Sequence, residues 1–255
     1  MVCEVKNKES VKEIFGEWEE TLIWSCLQGI MGKIYVTSLD SPISAMAIIG
    51  DFIFYAGKPD KELVSYKPVW CKQDFIIMVP QNNEWELLIE QNYGKKAKAV
   101  VRYAIKKEMG IFNEEKLQQV VSALSDDYTL CLIDEKFYRM CKSEQWSSDL
   151  VSQFKSYNEY KELGLGVVIL KDEKIVAGAS SYSRYSEGIE IEIDTKQEYR
   201  RKGLAYVCGA KLILECLKRN LYPSWDAQNK SSVSLAEKLG YHFDHEYKAY
   251  EIQGY

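Results

Sequence analysis

Tyr199-Arg200-Arg201-Lys202-Gly203-Leu204-Ala205 stands between two runs of opposite periodicity. Before it, Ile189 to Thr195 alternates apolar and acidic residues, the period of a strand; after it, Leu204 to Arg219 is apolar at helical spacing. Ala205, Cys208, Leu212 and Cys216 share one side of that helix, with Val207, Ala210, Leu214 and Leu217 beside them, so protein should cover most of it. The seven residues therefore form a strand-to-helix loop with three cations and one glycine. A helix N-terminus offers unpaired N–H groups and the positive end of a dipole, so such a loop can cradle a pyrophosphate. Basic turns are also ordinary on protein surfaces, and the elements around the loop must separate the two meanings.

Outward from the loop, the second half of the chain predicts strand Tyr128 to Leu132 and helices Glu135 to Cys141 and Ser148 to Leu163. Strands Gly166 to Leu170, Ile175 to Ser181 and Ile189 to Thr195 come next, then the long helix, strand Tyr222 to Asp226, helix Ser231 to Leu239 and strand Phe243 to Ile252. This order implies a mixed α/β sheet with helices on both faces. In the first half, Ser10 and Glu13 form a capping box for a helix through Val11, Ile14, Phe15, Trp18 and Leu22. Strands Lys33 to Thr37, Ala45 to Ile49 and Phe52 to Tyr55 follow, the last two joined at Gly50-Asp51. A short helix near Asp60 to Tyr66, strand Phe75 to Val79, helix Glu84 to Asn92 and strand Ala97 to Ile105 complete it. The halves repeat in topology without residue-level identity. With Ser125-Asp126-Asp127 as punctuation, the expected division is 1–125 and 126–255.

Composition narrows the function classes. The 255 residues are 46% hydrophobic and 28% charged with a net charge of −5, which excludes disordered and collagen-like chains and argues against a nucleic-acid partner. The longest uncharged stretches fall short of the ~20 apolar residues of a spanning helix. The N-terminus lacks the pattern of a secretory signal, so the expected location is the cytoplasm, with no membrane partner. Seven scattered cysteines without a Cys-x-x-Cys pair read as buried free thiols. His242 and His245, three apart on a strand, point to opposite faces, so no metal site is expected. The aromatic residues Trp70, Trp85 and Tyr93 of the first half fit core packing better than a binding groove.

Glu190, Glu192 and Asp194 alternate with Ile189, Ile191 and Ile193, so an unbroken strand sets the three carboxylates on one face, successive ones about 7 Å apart. A solvated strand face is the usual fate of such alternation. A central strand covered on both sides makes that row costly unless it lines a cleft, where repulsion and burial would suit Glu190 or Glu192 to act as a base. Asp194 is the weaker candidate, since a late bulge would turn it away.

Arg200-Arg201-Lys202-Gly203-Leu204-Ala205 fits the pattern (Gln/Arg)-x-x-Gly-x-(Gly/Ala), and Asn229 is followed by Ser232, Leu235, Gly240 and Tyr241 at further family spacings. On these motifs and the element order from Tyr128 onward, the second half resembles the GNAT superfamily of acyl-CoA-dependent N-acetyltransferases. Glu190 to Thr195 and Ser224 to Ala227 are similar to a bacterial two-part subgroup that includes antibiotic-resistance acetyltransferases. The resemblance implies the GNAT acyl-CoA N-acyltransferase fold as a tandem. Residues 1–125 would be a degenerate GNAT-like lobe with a substrate-cleft or interface role, and 126–255 a complete GNAT domain that binds acetyl-CoA. It implies that Arg200, Arg201, Lys202, Gly203, Leu204 and Ala205 hold the CoA pyrophosphate, that Ile193 and Thr195 offer backbone to the pantetheine arm, and that Asn229, with Ser232, contacts the cofactor near the thioester. The expected reaction is direct attack by a small-molecule amine on acetyl-CoA, with Glu190 or Glu192 as general base and no metal. A homodimer is compatible with this. The family's usual general acid, a Tyr seven residues after the Asn, is replaced by Ala236, which keeps a non-catalytic acyl-CoA-binding or sensing module as the alternative.

Overall fold

A computed structural model describes residues 1–255, and the chain divides into two compact units: Met1–Arg102 with Glu246–Tyr255, and Tyr103–His245. The division expected near residue 125 is corrected. Two long strands, at 97–105 and 243–253, run through the change of unit, so the boundary falls inside hydrogen-bonded segments and leaves no mark in composition.

The first unit opens with strand β1 (Cys3–Glu4), helices α1 (Lys12–Phe15) and α2 (Thr21–Gln28), and strands β2 (Lys33–Val36), β3 (Ser44–Ile49) and β4 (Phe52–Gly57). The single helix expected from Ser10 to Leu22 is broken in two, because Gly16 takes φ +59 after Phe15 and α2 starts afresh with the Glu20 carboxylate on the Leu22 amide. Helix α3 (Lys61–Ser65), strand β5 (Phe75–Pro80), helix α4 (Asn83–Tyr93) and strand β6 (Ala97–Ile105) follow. β3 and β4 form the hairpin expected around Gly50, and β4 pairs in parallel with β5 over Phe52–Tyr55. The core joins Tyr35, Met46, Ile48, Tyr55, Met78 and Trp85, with Trp85 stacked on Tyr55 and fully buried.

The second unit contains α5 (Glu114–Ser122), β7 (Thr129–Leu132), α6 (Glu135–Ser143), α7 (Tyr157–Leu163), β8 (Gly166–Lys171), β9 (Lys174–Tyr185), β10 (Gly188–Thr195), α8 (Leu204–Leu217), β11 (Tyr222–Ser224), β12 (Asp226–Ala227) and α9 (Lys230–Leu239), before β13 (Phe243–Gln253). The helix expected over Ser148 to Leu163 is a 3-10 turn at Ser148–Leu150 and then α7, whose amide at Glu159 is capped by Ser156. The strand expected over Tyr222 to Asp226 is divided at Trp225. Four strands pair antiparallel in the order β10-β9-β8-β7, and β11 joins β10 in parallel. α8 packs on this sheet and on α5. Ile189, Ile191, Val207, Cys208, Leu212 and Ile213 lie in one core.

β13 returns to the first unit, where Tyr250–Gln253 pair with β5. Both units thus contain an antiparallel set of three strands whose last member pairs in parallel with the next, β2-β3-β4 with β5 and β8-β9-β10 with β11. The cysteines are all free, Cys3 and Cys131 half-buried and the rest buried. No helix is long and apolar enough to cross a membrane, and no three His, Cys, Asp or Glu side chains gather as a metal site.

Candidate functional site

β10 is eight residues long, but β11 pairs with it at only three, Gly188↔Tyr222, Ile189↔Pro223 and Glu190↔Ser224. Beyond Ser224 the chain turns away through Trp225 into β12, whose Asp226 and Ala227 pair with Ala104 and Tyr103 at the end of β6. Ile191 to Thr195 keep β9 on one edge and have no strand on the other. The sheet therefore forks. From Thr195 at its mouth to Glu190 at its closed end is five residues, about 16 Å of strand, close to the reach of an extended pantetheine arm.

The basic loop lies at the mouth. After a 3-10 turn at Gln197–Tyr199, Arg200 is extended, with its Nε donating to the Thr195 carbonyl (3.0 Å) and its guanidinium 3.6 Å from the Asp194 carboxylate. Arg201 (φ +60) and Gly203 (φ +80) are left-handed, the alternation that turns successive amides toward one concavity. Gly203 occupies the cap position of α8, where no side chain closes the helix end, so the first turn of a 14-residue helix presents its amides outward. A Cβ at Gly203 would meet nothing within 4 Å; φ, not crowding, asks for glycine there. Arg201, Lys202 and Gly203 are exposed, with Lys202 Nζ 4.6 Å above the Tyr199 ring, while Leu204 is buried. At the strand end, Thr195 is buried and its hydroxyl has no hydrogen-bond partner. Uncapped amides, exposed cations, an open strand edge and an orphan hydroxyl together fit an acyl-CoA. The loop would hold its pyrophosphate, and the backbone of Ile193 and Thr195 its arm.

The carboxylate row differs along its length. The extra residue between β9 and β10 is Tyr182, since Ser183 faces Glu190 while Ser181 faces Ile191, so the irregularity belongs to β9 and the alternation of β10 continues. Glu190 is 6% exposed and shares its rung with Ser183 on β9 and Ser224 on β11, both fully buried. Tyr185 Oη and Ser224 Oγ are 2.9 Å apart. Burial lifts the Tyr185 hydroxyl above its usual range and pushes Tyr222 up to about 12, with the nearby Glu190 adding to both. Glu192 is half-buried, one residue past the first position without a β11 partner. Asp194 is taken up by the loop: its carboxylate accepts the Thr195 amide (2.6 Å) besides facing Arg200. Burial raises its pKa against the pull of that amide and of Arg200. Tyr185, Ser183, Ser224 and Tyr222 carry no local motif. Only strand register places them at the closed end, and the polar period Ser183-x-Tyr185 in a buried strand was the one available hint.

Asn229 and Ser232 both have partners within the protein at the start of α9. Asn229 caps α9, its Oδ1 accepting the Ser232 amide (3.0 Å), and Ser232 Oγ accepts from Trp225 Nε1 (3.0 Å). Ala236 is fully buried on α9. The two histidines do not converge: exposed His242 meets half-buried Glu108 (2.6 Å) and exposed His245 meets Asp244 (3.0 Å).

The first unit supplies an internal comparison. β5 continues beside β4, and Gln81 seals its end, donating its amide to the Tyr55 carbonyl (3.0 Å) and accepting the Gly57 amide on Oε1 (2.8 Å). Helix α3 begins at Asp60, whose carboxylate accepts the Glu62 and Leu63 amides. Where the second unit has a fork and an open helix end, the first has a closed pair of strands and a helix end already holding an anion. One trace of shared residues survives: Gln81-Asn82 and Gln228-Asn229 both precede a helix, and both asparagines cap it.

A model of the GNAT acetyltransferase family matches residues 12–250. A crystal structure of a GCN5-related N-acetyltransferase-like protein from Streptococcus suis is 46% identical, over 97% of this chain and 98% of that one, with a TM-score of 0.91. The uncharacterized N-acetyltransferase YdfB of Bacillus subtilis is 37% identical over 109 residues, 42% of this chain and 39% of its own length; the match spans well under half of either. A tandem GNAT protein from the clavulanic acid biosynthesis pathway covers 100% of this chain and 98% of its own at 8% identity and a TM-score of 0.52, a likeness of fold alone. With a family model spanning both units and near-complete superposition on a relative of 46% identity, the chain belongs to the GNAT acetyltransferase family.

Proposed function

We propose that the chain transfers an acetyl group from acetyl-CoA to the primary amine of a small molecule by direct attack, with Glu192 as general base. The observation that carries this is the pairing, in one unit, of an uncapped glycine loop at the mouth of a fork with a half-buried carboxylate on the fork's open edge. The loop amides and the cations of Arg200, Arg201 and Lys202 bind the pyrophosphate. Backbone amides of Ile191 to Thr195 orient the arm and polarise the thioester carbonyl. As the amine nitrogen bonds to the acetyl carbon and the C–S bond breaks, Glu192 takes the proton from nitrogen. The row Glu190, Glu192 and Asp194 draws cationic amines toward the site.

Thiol release is the test, with purified protein, acetyl-CoA and a panel of polyamines, aminoglycosides and amino acids. Acetylation of at least one amine is expected, and Glu192→Gln should lower its turnover about 10²-fold while acetyl-CoA affinity holds. A second reading, a non-catalytic acyl-CoA-binding module, draws on buried Ala236 at the position of the family's usual acid. Tight acetyl-CoA binding with no amine acetylated would favour it.

A further inference from the structure

Where the fork closes, one side chain ties three strands together. Tyr185 of β9 faces Gly188 of β10, and its ring lies over that glycine so that its hydroxyl reaches Ser224 Oγ of β11, 2.9 Å away. Glycine permits the crossing: a Cβ at position 188 would stand 2.5 Å from Tyr185 Oη and 2.7 Å from the ring carbon that bears it. Tyr185 is 1% exposed and Ser224 fully buried, so this clasp is packed on every side. Strand alternation and register set Tyr185, Gly188, Glu190 and Ser224 on one face of the sheet. The clasp therefore stands on the carboxylate face, directly behind the Glu190–Ser224 rung.

An arm laid from the loop along the open edge of β10 brings its acyl group toward that rung, and three ways lead onward from there. Between the strands the way is shut, because Ile189↔Pro223 and Gly188↔Tyr222 are paired. On the face that carries α8, Ile189, Leu212 and Cys216 are fully buried in one core. On the carboxylate face the way is blocked by the Tyr185 phenol. Two of the stops are the backbone and core of the fold itself; the third is a single side chain.

Resting on the acyl-CoA reading above, we propose that Tyr185, laid across Gly188 and held by Ser224, sets the depth of the acyl pocket and restricts the donated group to acetyl. A longer chain would have to displace a ring that is already packed and hydrogen-bonded, and forcing extra methylenes into a filled site is costly. Ser224 is the positioning residue of the pair, since its Oγ fixes where the end of the ring lies.

The test is a series of acetyl-, propionyl- and butyryl-CoA, read by calorimetry and by kcat/KM on whichever amine is acetylated. Wild-type protein should bind butyryl-CoA at least about 10²-fold more weakly than acetyl-CoA, with the same order in kcat/KM. Tyr185→Leu keeps an apolar side chain but removes the far half of the ring, and should bring the two affinities to within about tenfold of each other. Tyr185→Phe keeps the ring and should retain most of the discrimination. If Tyr185→Leu does not fold by its melting curve, Ser224→Ala takes its place: it removes only the oxygen that holds the ring, and should raise the propionyl-to-acetyl ratio about fivefold. Wild-type protein that binds all three donors equally, a folded Tyr185→Leu or Ser224→Ala with the wild-type ratio, or a Tyr185→Phe that loses the discrimination, overturns the assignment alone. Selective binding of acetyl-CoA without acetylation of any amine overturns the acetyltransferase reading and leaves the clasp as the stop of a binding pocket. No binding of any acyl-CoA overturns both.

Discussion

Asn229 shows how one residue can match a family pattern for a mechanical reason. Its Oδ1 is engaged by the third amide of α9, and Asn82 does the same for α4 in a unit whose strands are closed and whose helix end at Asp60 already holds a carboxylate. Capping therefore accounts for the asparagine in both places. Asn229→Ala and Asn82→Ala should each lower stability by about 1 kcal/mol in denaturant titration, while Asn229→Asp, also a good cap, should be near neutral. If Asn229 touches the cofactor as well, Asn229→Asp will weaken acetyl-CoA binding with stability unchanged, so affinity and stability together separate the two roles. At this scale the sequence exposed Arg200 to Ala205 and the row Glu190, Glu192, Asp194, because each is written in consecutive letters. It concealed Tyr185, Ser183 and Ser224, whose meeting with Glu190 depends on how three strands are aligned.

Strand β10, the loop and helix α8 form one device, and its two ends invite separate predictions. At the start of α8, Gly203→Ala forces a Cβ onto φ +80, costing about 1 kcal/mol without any clash, and should turn the loop amides out of line. Acetyl-CoA affinity should fall at least tenfold by calorimetry (about 1.4 kcal/mol) while the melting temperature shifts by only a few degrees. At the other end, Glu215 is buried and accepts from Lys211 (2.8 Å), Lys218 (3.1 Å) and Arg219 (2.5 Å). Burial alone would raise its carboxyl pKa, but these three cations outweigh that and hold it at about 2. A carboxyl depressed in the folded state contributes stability above its unfolded pKa of about 4.3, and that contribution is lost as pH falls from there toward 2. Glu215→Gln should therefore destabilise the protein at pH 7, with the gap from wild type shrinking steadily in acid; a constant gap would rule the cations out as its cause. Element types were readable wherever periodicity ran unbroken, as in Leu204 to Leu217. They were misread where a glycine at positive φ (Gly16) or a serine cap (Ser156) divided one apolar stripe between two pieces, since the stripe continues across the break.

The whole chain carries two versions of one topology, and the second differs from the first in its forked strand pair and uncapped helix end. That they are two was legible from the repeated order of elements; where they divide was not, because β6 and β13 each serve both units as single uninterrupted strands. The difference between the versions is physical. In the first unit Gln81 ties the ends of β4 and β5 together, Gly57 is packed so tightly that a Cβ would lie 2.2 Å from the Ile43 carbonyl oxygen, and Asp60 already satisfies the amides of α3. A phosphate there would have to displace a carboxylate tethered to the same helix and open a strand pair. Neither demand exists in the second unit. One acetyl-CoA should therefore bind per chain, with a single transition by calorimetry, and Gly203→Ala should weaken that one transition without uncovering another. Asp60→Ala frees the α3 amides but leaves Gln81 in place, so it should lower stability by about 1 kcal/mol without adding a second binding event. A stoichiometry of two in the wild type would show that the first unit's strands open in solution and that closure at Gln81 is a gate.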